Sequence, residues 1–176
     1  WITTKFQFDL YLSAEGQAST TQPRALPPSM ADILRREHLP PGTRLVGQTH
    51  RYPSWDAKNR RDTASKDTDK TIIFMGFVDA TEHYLANAGR MDNRDLELWR
   101  QLGEAPGRAI VSENFARIHD VKPGDTIQLE GNDGPVSFEI IGTVVDYTWI
   151  RGTIWIDRQH NKSAFAADEV NAWEVY

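Results

Sequence analysis

Near the start of the chain Phe6, Phe8, Leu10 and Leu12 alternate with Lys5, Gln7, Asp9 and Tyr11. That period of two belongs to a strand with one buried face. Residues 13–28 carry almost no large apolar side chain, cannot offset their own ordering entropy, and read as a mobile loop. Ser29 predicts a helix start, with Asp32 three residues on as its reciprocal capping acid. Met30, Ile33 and Leu34 supply its buried stripe, and Pro40-Pro41-Gly42 stops it. Thr43 to Tyr52 reads as a second strand. From Asp56 to Lys70 nine of fifteen residues are charged, five basic and four acidic. No element can bury such a stretch, so it reads as a hairpin tip or a loop. Thr71 to Val78 is predicted as a buried strand in which Gly76 marks a bulge or a close backbone approach.

Further on, Asp92 and Asp95 open a short helix whose apolar face is Leu96, Trp99 and Leu102, with Gly103 as its stop. Ala109-Ile110-Val111 is a strand that feeds a second helix through Ser112, with Glu113 in the first turn and Phe115, Ala116 and Ile118 inward. Val121 to Asp125 is a tight turn into the strand Thr126–Glu130. Asn132-Asp133-Gly134 then turns the chain into a long strand, Val136 to Tyr147, with Phe138 and Ile140 inward. Gly152–Asp157 reads as a strand, Arg158–Ala166 as a helix and Asn171–Tyr176 as a last strand.

With the middle set aside, the order is strand, helix, strand, strand, then strand, helix, strand. The pattern predicts an α+β fold. A split β-α-β sheet with helices on one face is built from 1–78 and 152–176, and 79–151 is inserted as a small α/β unit of two helices and a β ribbon.

Composition narrows the function classes. The 176 residues hold 20 basic and 25 acidic side chains, a net charge of −5, which disfavours a nucleic-acid face. There is no cysteine, which removes disulfides, thiolate catalysis and zinc–thiolate sites, and fits an exported protein weakly. The longest apolar run, Ile72 to Val78, is far too short to span a bilayer. The chain starts on Trp1 and reads as a piece of a longer protein.

Candidate chemistry is sparse. His38, His50, His83, His119 and His160 show no ligand spacing. Ser112 sits between a strand and a helix but lacks the flanking glycines of a nucleophile elbow, so helix capping is its expected role. No pair of carboxylates stands isolated in an apolar setting, and no glycine-rich loop precedes a helix. Neither a metal nor a cofactor is expected. Of the six tryptophans, Trp99 has a core explanation, Trp55 stands beside the charged stretch, and Trp149 lies where the insertion rejoins the sheet. Exposed aromatics mark partner contacts, whereas buried ones are packing.

An ordered series of motifs goes further. Ala109 to Leu129 carries Val-Ser-Glu at 111–113 and Pro-Gly-Asp at 123–125; Val136 to Tyr147 carries Phe138, Gly142 and Asp146-Tyr147; and Gly152-Thr-Ile-Trp-Ile-Asp157 follows. Asp9-Leu10-Tyr11, the Leu26-Pro27-Pro28 to Pro41-Gly42 helix and Phe77-Val78-Asp79 precede them. In this order they resemble the extracytoplasmic domain of FtsX/MacB/LolC-type ABC transporter permeases. The loops at 13–28 and 56–70 are longer than the family pattern, and the helix and strand that usually follow 171–176 are absent.

The resemblance implies a porter-like subdomain at 1–78 and 152–176 and a sabre-like one at 79–151. It implies an inner (plasma) membrane protein with this segment on the periplasmic side and no catalysis of its own. An ABC ATPase would act through the membrane part, with a second permease copy and a periplasmic protein or lipoprotein as partners. The domain would transmit cytoplasmic ATP hydrolysis to export, lipoprotein handling or partner activation. Both chain ends are then expected close together. Asp79, Trp149 and Gly152 at the two crossings are candidate hinge residues, and Trp55 is a candidate partner contact. Two other classes compete: a freestanding periplasmic enzyme, which requires a pocket with convergent ionisable groups, and a passive binding or scaffold module.

Overall fold

The computed structural model describes residues 8–13, 24–27, 29–55 and 71–176. The charged stretch at 56–70 and most of 13–28 lie outside the described residues. In chain order the elements are β1 (Leu10–Ser13), α1 (Met30–Ile33, continued as a wider π-helical turn over Leu34–His38), β2 (Leu45–Arg51), β3 (Ser54–Trp55), β4 (Thr71–Ile72), β5 (Phe74–Val78), α2 (Ala80–Asn87) and α3 (Asn93–Glu104). They continue with β6 (Arg108–Ser112), α4 (Glu113–Ile118), β7 (Thr126–Gly131), β8 (Gly134–Val144), β9 (Thr153–Asp157), α5 (Arg158–Phe165) and β10 (Ala172–Val175). The fold is mixed α+β, with a large mixed sheet and five helices among the described residues.

Eight strands form that sheet in the order β1-β10-β2-β5-β9-β6-β8-β7, and β3 and β4 pair separately. The ladders β5–β9 and β6–β8 are parallel and the others antiparallel. β9 bonds to β5 on one side and to β6 on the other. The sheet therefore runs without interruption from the flanking segments into the middle one. Its largest core does the same, joining Met75, Phe77, Ile154 and Ile156 to Val111, Ile127, Phe138 and Ile140. Any motion of 79–151 against the rest would have to break the β6–β9 ladder and open this core.

Helices cover both faces. α1 and α5, from the flanking segments, lie on one face, as the split β-α-β order implies, and Phe115 of α4 packs there too. On the other face Ala80 and Ala86 of α2 and Trp99 and Leu102 of α3 pack on Val46, Val78, Ile110 and Val144. The central strands are accordingly apolar on both sides, which is why Phe74 to Val78 shows no alternation.

Several local expectations need correction. The Ser29 hydroxyl caps nothing, because Ser29 is itself helical (φ −75°, ψ −7°) and sits within the turn. Ala31, rather than Met30 or Ile33, is the buried residue of α1, and Leu34 packs with Leu45 and Val175. Gly103 does not end α3; a Cβ there would stand 2.9 Å from Thr81 Oγ1, so the glycine lets α2 and α3 approach. α2 was not legible at all, although Asp79 caps it through Glu82 N–H. Ile118 is exposed rather than inward. β8 ends at Val144, three residues before Tyr147. Gly76 is a close approach and not a bulge: its ladders are regular, and a Cβ would fall 2.2 Å from the Trp155 ring.

Candidate functional site

The sheet has two distinct ends. At the base Asp9 N–H donates to Val175 O, Arg44 exchanges backbone hydrogen bonds with Tyr176, and Val78 delivers Asp79. At the opposite end Arg51, Phe74, Ser112, Val144 and Thr153 finish or begin their strands. The link from β8 to β9 crosses this second end, and among the described residues it carries the two most exposed of the large apolar side chains. Ile150 is 82% and Val145 63% exposed, while Tyr147, Ile72 and Ile118 are about half exposed.

Hydrogen bonds hold this tip in shape. The Asp146 carboxylate accepts from Thr148 N–H at 2.8 Å and from Trp155 Nε1 at 2.8 Å. Asn114 of α4 donates to Trp149 O at 2.9 Å and Ile150 O at 3.4 Å, and Gly152 N–H closes a turn onto Trp149 O. The Trp149 indole donates to Ile72 O at 2.9 Å, and its ring packs 5.1 Å from that of Tyr52. His119 Nε2 lies 3.4 Å from Arg151 O, and burial lowers the pKa of that imidazole. The apolar side chains therefore stand on a loop fastened through Thr148 N–H and the carbonyls of Trp149, Ile150 and Arg151.

Three of the four residues singled out in the sequence meet around α4. Trp55 is buried, its ring centroid 5.2 Å from Phe115 and 4.5 Å from His119. Gly152 is buried in the left-handed region (φ +99°), where a Cβ would fall 2.4 Å from Phe115 Cβ. Trp149 is fastened by Asn114. The fourth, Asp79, is at the base: it caps α2, accepts from Gln159 Nε2 at 2.5 Å, and lies 4.0 Å from Arg158. Beside it Asp157 accepts from both Ala80 N–H and His160 N–H, joining the starts of α2 and α5, and burial raises its pKa.

Two buried polar networks had no sequence signal, because their members lie far apart in the chain. On β2, His50 touches the Tyr11 hydroxyl through Nδ1 at 3.3 Å and Gln48 Oε1 through Nε2 at 2.7 Å. Burial lowers the His50 pKa to about 4 and raises that of Tyr11. Near the base, Glu174 accepts from Tyr176 OH at 2.9 Å and lies 3.1 Å from His83 Nδ1, and Asn87 donates to the Tyr176 oxygen. The Tyr176 hydroxyl also lies 3.5 Å from His83 Nδ1, so acid, phenol and imidazole form a triangle, and the phenol pKa is raised by burial and by the Glu174 charge. A nucleophile relay places hydroxyl and acid on opposite nitrogens of the imidazole, whereas here both lie against His83 Nδ1.

A cavity of about 350 Å³ opens between the end of β2, the end of α5 and the β7–β8 hairpin, lined in part by Arg51, Met75, Glu130 and Phe165. Its arginine is engaged with Ala166 O at 3.0 Å, and its lining offers no nucleophile–base pair. No family model matches the sequence, and no curated protein matches it.

Proposed function

We propose that this chain is the extracytoplasmic domain of an ABC transporter permease of the FtsX/MacB/LolC type, a non-catalytic element that carries motion from the membrane to a partner outside it. The observation that carries this reading is the pairing of β1 with β10. The strand by which the chain comes in and the strand by which it leaves are antiparallel neighbours, Leu10 opposite Val175, and open at the same end. Two adjacent membrane spans can be attached there without disturbing the sheet. No helix among the described residues is long and apolar enough to cross a membrane, so the proposed spans belong to sequence beyond these elements. The motif series from Val111-Ser112-Glu113 to Gly152–Asp157 supports the same family.

In this reading 1–78 with 152–176 is the porter-like part and 79–151 the sabre-like part. The two act as a single body, because they share a sheet and a core. Asp79, Trp149 and Gly152 then serve as caps and packing at the crossings rather than as pivots. ATP hydrolysis belongs to the ATPase partner, and the base, tied by Arg90 to Asp9 at 3.2 Å and to the face of the Tyr176 ring, receives the force.

The test is topological. These 176 residues hold no cysteine, so once any cysteine elsewhere in the full-length protein is replaced by serine, Leu85→Cys on an exposed position of α2 gives a single reactive thiol. In intact cells making the full-length protein, a membrane-impermeant maleimide is expected to label it as completely as in lysed cells, and an ATP-hydrolysing subunit is expected to co-purify. Labelling only after lysis would refute the extracytoplasmic placement.

A further inference from the structure

Three separate parts of the chain build the cavity between β2, α5 and the β7–β8 hairpin. Arg51, the last residue of β2, stands opposite Met75 of β5 in the ladder, and Phe77 lies two residues beyond Met75. Cross-strand partners and alternate residues share a face, so these three side chains lie on the same side of the sheet. Phe165, at the end of α5, meets Phe77 with ring centroids 5.3 Å apart. Met75, Phe77 and Phe165 are buried and give the cavity an apolar floor.

Above that floor the lining carries one base and one acid. Arg51 donates to Ala166 O at 3.0 Å. Ala166 ends α5 in the left-handed region (φ 48°, ψ 42°), a conformation unfavourable for a residue with a Cβ. Its carbonyl holds the guanidinium in place and leaves the remaining N–H groups available. Glu130 of β7 lines the same space, and among the described residues its carboxylate has no hydrogen-bond or ion-pair partner. No ion pair joins Arg51 to Glu130 either, although Arg36, Arg44, Arg90 and Arg100 each hold a carboxylate. The other charges on these turns, Lys162, Asp133 and Asp168, do not line the cavity.

At about 350 Å³ the cavity lies at the small end of the roughly 300–1,000 Å³ range of small-molecule sites, whose usual make-up is an apolar interior with a few fixed polar groups. An occupant bearing a carboxylate alone would face Glu130, and one bearing an amine alone would face Arg51. A zwitterion answers both charges at once. We infer that this cavity binds a free amino acid with a large apolar side chain, its carboxylate on Arg51, its ammonium on Glu130 and its side chain against Met75, Phe77 and Phe165. The site lies wholly within this chain, so it goes beyond the permease reading and stands or falls apart from it.

The experiment is calorimetric titration of the full-length protein in detergent with L-phenylalanine as the probe. It is run at two temperatures about 20 °C apart, because burial of apolar surface changes the heat of binding with temperature and no signal is then hidden at both. Three comparison ligands each lack one feature: 3-phenylpropionate the ammonium, phenethylamine the carboxylate and glycine the apolar side chain. L-Phenylalanine is expected to bind at a single site per chain, and each comparison ligand about tenfold or more weakly, the scale of one lost charged contact or one unfilled apolar site. Glu130→Gln should weaken L-phenylalanine about tenfold and leave 3-phenylpropionate no weaker, since that ligand has no ammonium to lose. Glu130 is exposed, so the urea midpoint of this variant should match the parent's. Arg51→Gln should weaken L-phenylalanine and spare phenethylamine. If losing the Ala166 contact unfolds that variant, Glu130→Gln and the ligand series still decide. No heat of binding up to about 10 mM L-phenylalanine, comparison ligands that bind as well as the zwitterion, or a Glu130→Gln protein that binds it like the parent would each overturn the inference. None of these results bears on maleimide labelling at position 85, so the two readings fail separately.

Discussion

A Gly152→Ala protein is expected to be less stable than the parent by about 3–5 kcal/mol, the combined cost of a strained backbone and an overpacked contact. At φ +99° an alanine is held in a conformation that L side chains rarely adopt. Its methyl group would also stand 2.4 Å from Phe115 Cβ, 2.5 Å from Phe115 Cα and 2.9 Å from Phe115 N. Two of those atoms are backbone, so no rotamer change relieves the clash and α4 itself must shift. That shift strains Ser112, whose hydroxyl accepts from Phe115 N–H at 3.3 Å and from Thr153 N–H at 2.8 Å. For a chain of this size the loss corresponds to a fall in Tm of roughly 10 °C. Gly124→Ala is the control: φ is +92° but nothing lies within 4 Å, so only the backbone cost of about 1 kcal/mol applies. Urea denaturation of the two variants decides the matter. Equal losses would mean that Gly152 supplies backbone freedom alone, as a pivot would, and that the packing against α4 is unimportant.

The second large effect is a pH dependence. His50 is buried among Tyr11, Gln48, Phe74 and Trp155, and burial lowers its pKa from 6.5 to about 4 against the opposing pull of Glu174 and Asp146. The folded state thus favours the neutral ring. Its contribution is fully present above the unfolded value near 6.5 and is lost progressively as pH falls toward 4. The total is about 3 kcal/mol at roughly 1.4 kcal/mol for each pK unit. Urea midpoints measured at pH 7.5, 6 and 4.5 should fall steeply for the parent and less steeply for His50→Phe. The difference between the two profiles isolates this histidine from the other groups that titrate, His119 and Asp157 among them. Parallel profiles would show that His50 is not desolvated in the folded state.

What could be read from the sequence was local. β2, β5, β9 and α5 follow from alternation, continuous apolar runs and caps such as Asp157, whose partners lie within a few residues. Gly76 could be read as a close approach because a glycine inside a buried strand has few other reasons to be there, but Trp155 as its neighbour could not. α2 escaped because its buried residues are Ala80, His83, Ala86 and Asn87, too small and too polar to make an apolar stripe. The tip escaped for a different reason. Val145, Tyr147 and Ile150 continue the apolar character of β8, so composition alone extends the strand where the backbone turns away at Asp146. Of the candidate residues, Trp55, Trp149 and Gly152 converge on α4 although 94 residues separate Trp55 from Trp149, and no local pattern encodes that meeting.

In the proposed function, force received where β1 and β10 meet reaches the tip through one continuous body. Energy transfer from a donor at Thr148→Cys tests it most directly in the full-length protein reconstituted with its ATPase, with the acceptor placed either at Leu10→Cys or in the bilayer. Both positions are exposed and these 176 residues offer no competing thiol, so only cysteines elsewhere in the permease or its ATPase need replacing. ATP binding is expected to change the Thr148-to-bilayer distance while the Thr148–Leu10 distance stays constant to about 1 Å, as for a pre-organised domain. A Thr148–Leu10 distance that changes by about 5 Å or more, the scale of one element ratcheting past another, or a tip that does not move with ATP, would contradict it.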